Sequence, residues 1–229
     1  MSDLIDQYTD IKRAITEAAE KAGRNPAKIK LVAVSKGQPA SALQALAGAG
    51  QAIFGESYLQ EAANKIKEVG VPNLAWHFIG HVQTNKAKQV VNLFSCVESV
   101  DSLKLAQSLN NAALEINKNL KILVQVNLAG ETSKSGCNTQ ELPALCQGIG
   151  QFPNLQLKGL MTLPPFFDDP DKSRPYFAKL NNLAKELSSH LPPGSMDELS
   201  MGMSGDFQVA IEEGATLVRI GTLLFGLRN

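Results

Sequence analysis

The sequence has no excess of charge of either sign: 22 Lys and Arg stand against 22 Asp and Glu. A neutral chain has no basic field with which to hold nucleic acid phosphates or an anionic membrane, although local basic pockets stay open. No apolar run approaches the length needed to cross a bilayer. The start, Met1-Ser2-Asp3-Leu4-Ile5-Asp6, lacks the basic region and apolar stretch of a secretion signal. Cysteine is scarce. Cys96, Cys137 and Cys146 stand apart with no CxxC spacing, and an odd count suits a reducing compartment. The expectation is a cytoplasmic protein with reduced, structurally inert thiols.

What is there is ample core. Hydrophobic residues make up 44% of 229 residues and charged residues 19%, enough for one large domain with a soluble surface. Leu4, Ile5, Tyr8, Ile11, Ile15, Ala18, Ala19 and Ala22 recur at helical steps, with Gly23 as the stop. After this extra N-terminal helix, short apolar runs alternate with helical stretches. The runs are Ile29–Val34, Ala52–Gly55, Trp76–Ile79, Ser95–Val100, Lys121–Val126, Leu157–Met161, Glu198–Met201 and Thr216–Ile220. Helix starts are expected at Pro39, at a Ser57/Gln60 capping box, near Asn85, at Asp101, near Asn138 and at Ser204. Eight strands each followed by a helix predict an α/β fold of the closed (β/α)₈ type; an open doubly wound sheet is the alternative. No linker or repeat divides the chain, so one domain is expected over 1–229.

In such barrels chemistry gathers at the carboxyl ends of the strands. Here those ends carry Lys36, Glu56, His81, Asn127, Thr162, Ser204 and the run Arg219-Ile220-Gly221-Thr222. A lysine at the end of a buried strand is partly desolvated, which lowers its pKa and frees the amine to attack a carbonyl. Taken alone, Lys36 equally suits a side chain that snorkels to solvent. Ser204-Gly205-Asp206 and Gly221-Thr222 each open a helix, and unpaired N–H groups with added hydroxyls suit a phosphate. Ser204 also reads as a plain N-cap, and Gly221 as a tight turn. Arg219 stays charged inside an apolar strand and needs an acceptor: a structural carboxylate, or a ring nitrogen of a bound cofactor.

Several ordered segments then carry a resemblance. They are Leu31-Val32-Ala33-Val34-Ser35-Lys36, Phe54-Gly55-Glu56-Ser57-Tyr58-Leu59-Gln60-Glu61, Trp76 to Lys86, Ser133-Lys134-Ser135-Gly136, Leu199 to Ser204, and Val218-Arg219-Ile220-Gly221-Thr222. Over nearly its whole length the chain resembles the pyridoxal-phosphate homeostasis proteins, which are similar to the barrel half of alanine racemase. The resemblance implies a fold-type III barrel that binds pyridoxal 5'-phosphate (PLP) as a Schiff base on Lys36. It implies Arg219 at the pyridine nitrogen and phosphate contacts from Ser200, Ser204, Gly221 and Thr222. One departure is Ser57, where the family usually has Asn, which removes any ring-edge or water contact made by that Asn.

Other patterns fare worse. Gly130 to Gly136 has Ser133 where a P-loop needs Gly before Lys, so it reads as a mobile loop. His77 and His81 flank a strand end and do not share a face, and no metal site is expected. The resemblance implies a role in vitamin B6 and amino-acid homeostasis, with no catalytic residues, and with apo PLP enzymes as candidate recipients; a monomer is expected. A PLP-dependent amino-acid racemase is the alternative, and a cofactor-free lysine aldolase a further one. Racemisation needs a second acid–base group, supplied in the racemase by a tyrosine of an additional domain for which this chain has no length. Of Tyr8, Tyr58 and Tyr176, only Tyr58 lies at a strand end.

Overall fold

The computed structural model describes residues 2–131 and 135–226. Helix α1 (Ser2–Lys21) precedes eight strands: β1 (Lys30–Val34), β2 (Ile53–Glu56), β3 (Ala75–Phe78), β4 (Cys96–Val100), β5 (Leu120–Gln125), β6 (Leu155–Met161), β7 (Glu198–Ser200) and β8 (Leu217–Ile220). They pair in parallel and in chain order. Pairing of Lys30–Ala33 with Leu217–Ile220 joins β1 to β8 and closes the barrel. The open-sheet alternative is thereby excluded. Between the strands run α2 (Ala40–Gly48), α3 (Leu59–Val69), α4 (Ala87–Leu93), α5 (Leu103–Glu115), α6 (Leu142–Ile149), α7 (Arg174–Ser188) and α8 (Phe207–Glu212); α9 (Thr222–Phe225) follows β8.

Strand side chains alternate between the barrel interior and the helical shell. Val32, Cys96, Leu123, Met161 and Leu217 come from five strands and meet as one cluster, which only the barrel axis can bring about. A larger cluster, including Leu43, Phe54, Phe94, Leu109, Phe177 and Leu180, fills the space between barrel and helices. Helix α1 lays Ile11, Ile15 and Ala19 on that outer shell. The three thiols are buried and unbridged. Burial pushes Cys137 and Cys146 up to about 12, which agrees with inert cysteines.

The helix starts depart from expectation for local reasons. Asp101 does not cap α5; Ser102 does, accepting the Leu105 N–H. Ser57 and Gln60 form no capping box, because Tyr58 occupies the N-cap of α3 without a side-chain bond. Asn138 starts a turn instead of a helix, its Oδ1 taking the N–H groups of Gln140 and Glu141, and α6 begins later. Ser204 does not cap α8. That helix starts at Phe207, and the Ser204 hydroxyl accepts the Leu223 N–H in α9 instead. The mobile-loop expectation falls largely on 132–134, outside the described residues; at its start, Asn127 holds the Gly130 N–H and the Glu131 carbonyl.

Candidate functional site

Val32 faces the barrel axis, so Val34 falls on the same side while Leu31 and Ala33 face the helices. Lys36 follows in the turn just beyond β1. Val34 and Lys36 line a cavity of about 320 Å³ at the carboxyl ends of the strands. The same rule applies to β8: Leu217 is in the axial cluster, and Arg219 and Gly221 line the cavity. Ser204 and Thr222 complete that side, with Ile79, Leu163 and Phe167 as apolar wall. The volume falls in the range of roughly 300–1,000 Å³ usual for small-molecule sites.

Five of the six residues singled out from sequence, Lys36, Ser204, Arg219, Gly221 and Thr222, thus share one wall. Ser200 does not join them. It is fully buried beneath the cavity, where its hydroxyl donates to Glu98 Oε2 and accepts from Arg219 Nη1. The second Arg219 nitrogen donates to the Thr162 carbonyl at 2.8 Å. On its far side Glu98 meets His77 Nδ1 at 2.6 Å. Two chemical groups singled out from sequence are therefore linked with two that were not, in a buried polar layer between the apolar axis and the cavity floor.

The electrostatics of this layer are coupled. Burial lowers the Arg219 pKa, while Glu98 and Asp206 act to hold the guanidinium charged. Burial would raise the Glu98 carboxyl, but hydrogen bonds from His77 and Ser200 and the charge of Arg219 outweigh it and leave Glu98 below its ordinary value. Glu98 carried a sequence signal of the same type as Arg219, a charged residue inside an apolar strand. His77 is absorbed here, and His81 is exposed on the following loop.

Lys36 itself is half-buried, which suits an amine that must reach a carbonyl yet stay partly unhydrated. The cavity is narrow where β1 meets β8: a Cβ on Gly221 would lie 3.3 Å from both Val34 Cβ and Val34 O. A larger cavity of about 390 Å³ lies behind the Ser204–Asp206 loop against α1 and α8. Its described lining includes Asp10 and Asp206 but neither lysine nor arginine, so it offers an anion no cationic partner. Ser57, the departure from the family pattern, is in the wall of the Lys36 cavity, and Tyr58 beside it is 59% exposed. Among the described residues, no tyrosine lines that cavity; Tyr8 packs in the shell and Tyr176 stacks on Phe167.

Comparison with known proteins identifies the family. Residues 8–229 match the model of the alanine racemase N-terminal domain. The pyridoxal phosphate homeostasis protein of Pseudomonas aeruginosa is 45% identical over 229 residues, covering 100% of this chain and 97% of the relative. PipY of Synechococcus elongatus, solved with PLP bound, is 38% identical with a TM-score of 0.83, covering 93% of this chain and 100% of PipY. Alanine racemase from Corynebacterium glutamicum shares the fold at a TM-score of 0.73 and 15% identity, 98% of this chain overlying 62% of the racemase. The chain belongs to the alanine racemase N-terminal domain family and, within it, to the pyridoxal phosphate homeostasis proteins.

Proposed function

We propose that this protein binds PLP through Lys36 and serves PLP and amino-acid homeostasis without turning over a substrate of its own. The observation that carries the reading is the convergence of Lys36, Arg219, Ser204, Gly221 and Thr222 on one cavity. That set fits the group chemically. PLP is an anion with an aldehyde and a basic ring nitrogen; the cavity offers an amine, a fixed guanidinium and two hydroxyls beside a close backbone approach. The names of the relatives, and the PLP in PipY, support the same assignment.

Bound there, PLP supplies an electrophilic aldehyde and an electron-withdrawing ring. Lys36 would supply the amine that holds the aldehyde. Arg219 would face the ring nitrogen as a cation that keeps its proton. Ser204 and Thr222 would offer hydroxyls to the phosphate, and Gly221 would let the backbone approach. The hydroxyl of Ser200, expected among the phosphate contacts, bonds Glu98 and Arg219, and in this reading it would steady Arg219. In this reading the protein is cytoplasmic, acts as a monomer, and exchanges PLP with apo PLP enzymes. The test is mass spectrometry of borohydride-treated protein after loading with PLP: a reduced adduct on Lys36 supports the reading, and an adduct elsewhere overturns it.

A further inference from the structure

Lys36 is flanked by two residues that are tied to one buried ammonium. Lys65, in α3, is 6% exposed. Its Nζ donates to the Ser35 carbonyl at 2.6 Å, to Glu56 Oε1 at 2.7 Å and to Glu61 Oε1 at 2.6 Å, which uses all three ammonium protons. On one side of Lys36, the Ser35 hydroxyl donates to the same Glu56 oxygen at 2.7 Å. On the other side, the Gly37 N–H donates to the same Glu61 oxygen at 2.5 Å. Gly37 has φ +74°, a left-handed conformation that a side chain would resist, so the chain turns sharply just past the lysine.

This arrangement is a costly way to gain stability. Buried charges lose hydration, and a buried ion pair is often no more stable than an apolar pair of the same size. Here the second Glu56 oxygen is buried with no hydrogen-bond partner among the described residues. Burial also pushes the Glu56 carboxyl up, despite hydrogen bonds from Lys65 and Ser35. What the network does achieve is geometry. It pins Ser35 toward α3 on one side and Gly37 to Glu61 on the other, and Lys36, in the turn between them, lines the cavity.

We propose that Lys65, acting through Glu56 and Glu61, is a positioning residue for Lys36: it clamps the backbone on both sides and so fixes the approach of the Lys36 amine to its carbonyl partner. The proposal rests on the assignment of PLP to Lys36. Without the clamp the amine samples other directions, the imine forms from a less ordered start, and it exchanges faster. Misplacement of a reacting group by about 1 Å can cost on the order of a hundredfold.

The experiment compares PLP-loaded wild type with Lys65→Met, Glu61→Ala, Glu61→Gln and, as a control, Leu109→Ala. Leu109 is fully buried in α5, away from β1. Three quantities are measured: the rate of PLP release into a trapping apoenzyme, the pH midpoint of imine absorbance, and the melting temperature. Lys65→Met and Glu61→Ala are expected to release PLP at least about tenfold faster and to shift the pH midpoint. Glu61→Gln keeps an acceptor for Gly37 and is expected to behave as wild type. Leu109→Ala should melt earlier yet release PLP at the wild-type rate. Glu61 is only partly buried, so Glu61→Ala carries the test if Lys65→Met does not fold. Unchanged release and midpoint in Glu61→Ala, or equal acceleration in Leu109→Ala, overturns the proposal. Wild-type protein that forms no Lys36 adduct overturns the functional assignment instead.

Discussion

Arg219 meets the Glu98 carboxylate through a single hydroxyl, that of Ser200, beneath the floor of the Lys36 cavity. The guanidinium is thereby held by a charge it does not touch directly. A further contact, with the Thr162 carbonyl, fixes the plane of the group. A cation aimed into the cavity from a packed floor is in place before any ligand arrives, which spares the cost of ordering it at binding.

Replacing Ser200 by Ala breaks this bridge and leaves two buried charges without their shared partner. A lost hydrogen bond to a charged group costs roughly 1.5–3 kcal/mol, and urea unfolding should show a loss of that order. PLP affinity should fall, and pyridoxal affinity with it, because the floor and not the phosphate contact is damaged. A selective loss of PLP binding, with pyridoxal unaffected, would return Ser200 to the phosphate site.

Thr222→Val tests the phosphate side. The substitution keeps the shape and removes one hydroxyl at the cavity wall. A charge-assisted hydrogen bond worth about 1.5–3 kcal/mol corresponds to a ten- to hundredfold weaker PLP complex. Pyridoxal, which lacks the phosphate, should bind as to wild type. Titration by absorbance gives both numbers, and equal weakening of the two ligands counts against a phosphate contact at Thr222.

Glu98 predicts an acid-side dependence of stability. Its folded pKa is depressed below the ordinary value, so the unfolded chain takes up the proton first. The stability it contributes is present above the unfolded carboxylate range, near about 4.3, and is lost as pH falls through the lower folded value. Urea midpoints measured from neutral pH down through that window should decline less steeply in Glu98→Gln than in wild type. Parallel slopes would mean that Glu98 does not hold its charge in the fold.

The racemase alternative predicts α-deuteration and D-isomer when PLP-loaded protein is incubated with L-alanine in deuterated water. The binding role predicts neither at an enzymatic rate. Tyr58 is the residue to substitute if turnover is seen, since it is at the carboxyl end of β2 and largely exposed. Rapid exchange abolished by Tyr58→Phe would falsify the reading without turnover.

Much of this was legible in the sequence because it is local. Eight apolar runs marked eight strands, and Lys36 stood at the carboxyl end of the first. Arg219 announced itself as a charge inside an apolar strand; Glu98 bears the same mark in β4 but was not among the residues singled out. Their connection left no such mark, because Ser200 and Glu98 are 102 residues apart and meet only when β4 and β7 share the barrel interior. Helix caps failed for a related reason. Ser204 has a good capping side chain, but the loop after β7 packs against α9, and the hydroxyl is taken by the Leu223 N–H. The Lys65 clamp left no local mark, since a lysine between acidic residues on a helix reads as a solvated face until α3 packs against β1 and β2.

The central claim is that Lys36 is the residue that carries PLP. Purified protein is loaded with PLP, reduced with borohydride, digested and read by mass spectrometry, with absorbance recorded before and after reduction. The account predicts a visible band that disappears on reduction, and one reduced adduct on the peptide that contains Lys36. A band that resists reduction, or an adduct on Lys86 or Lys134 with Lys36 unmodified, contradicts it.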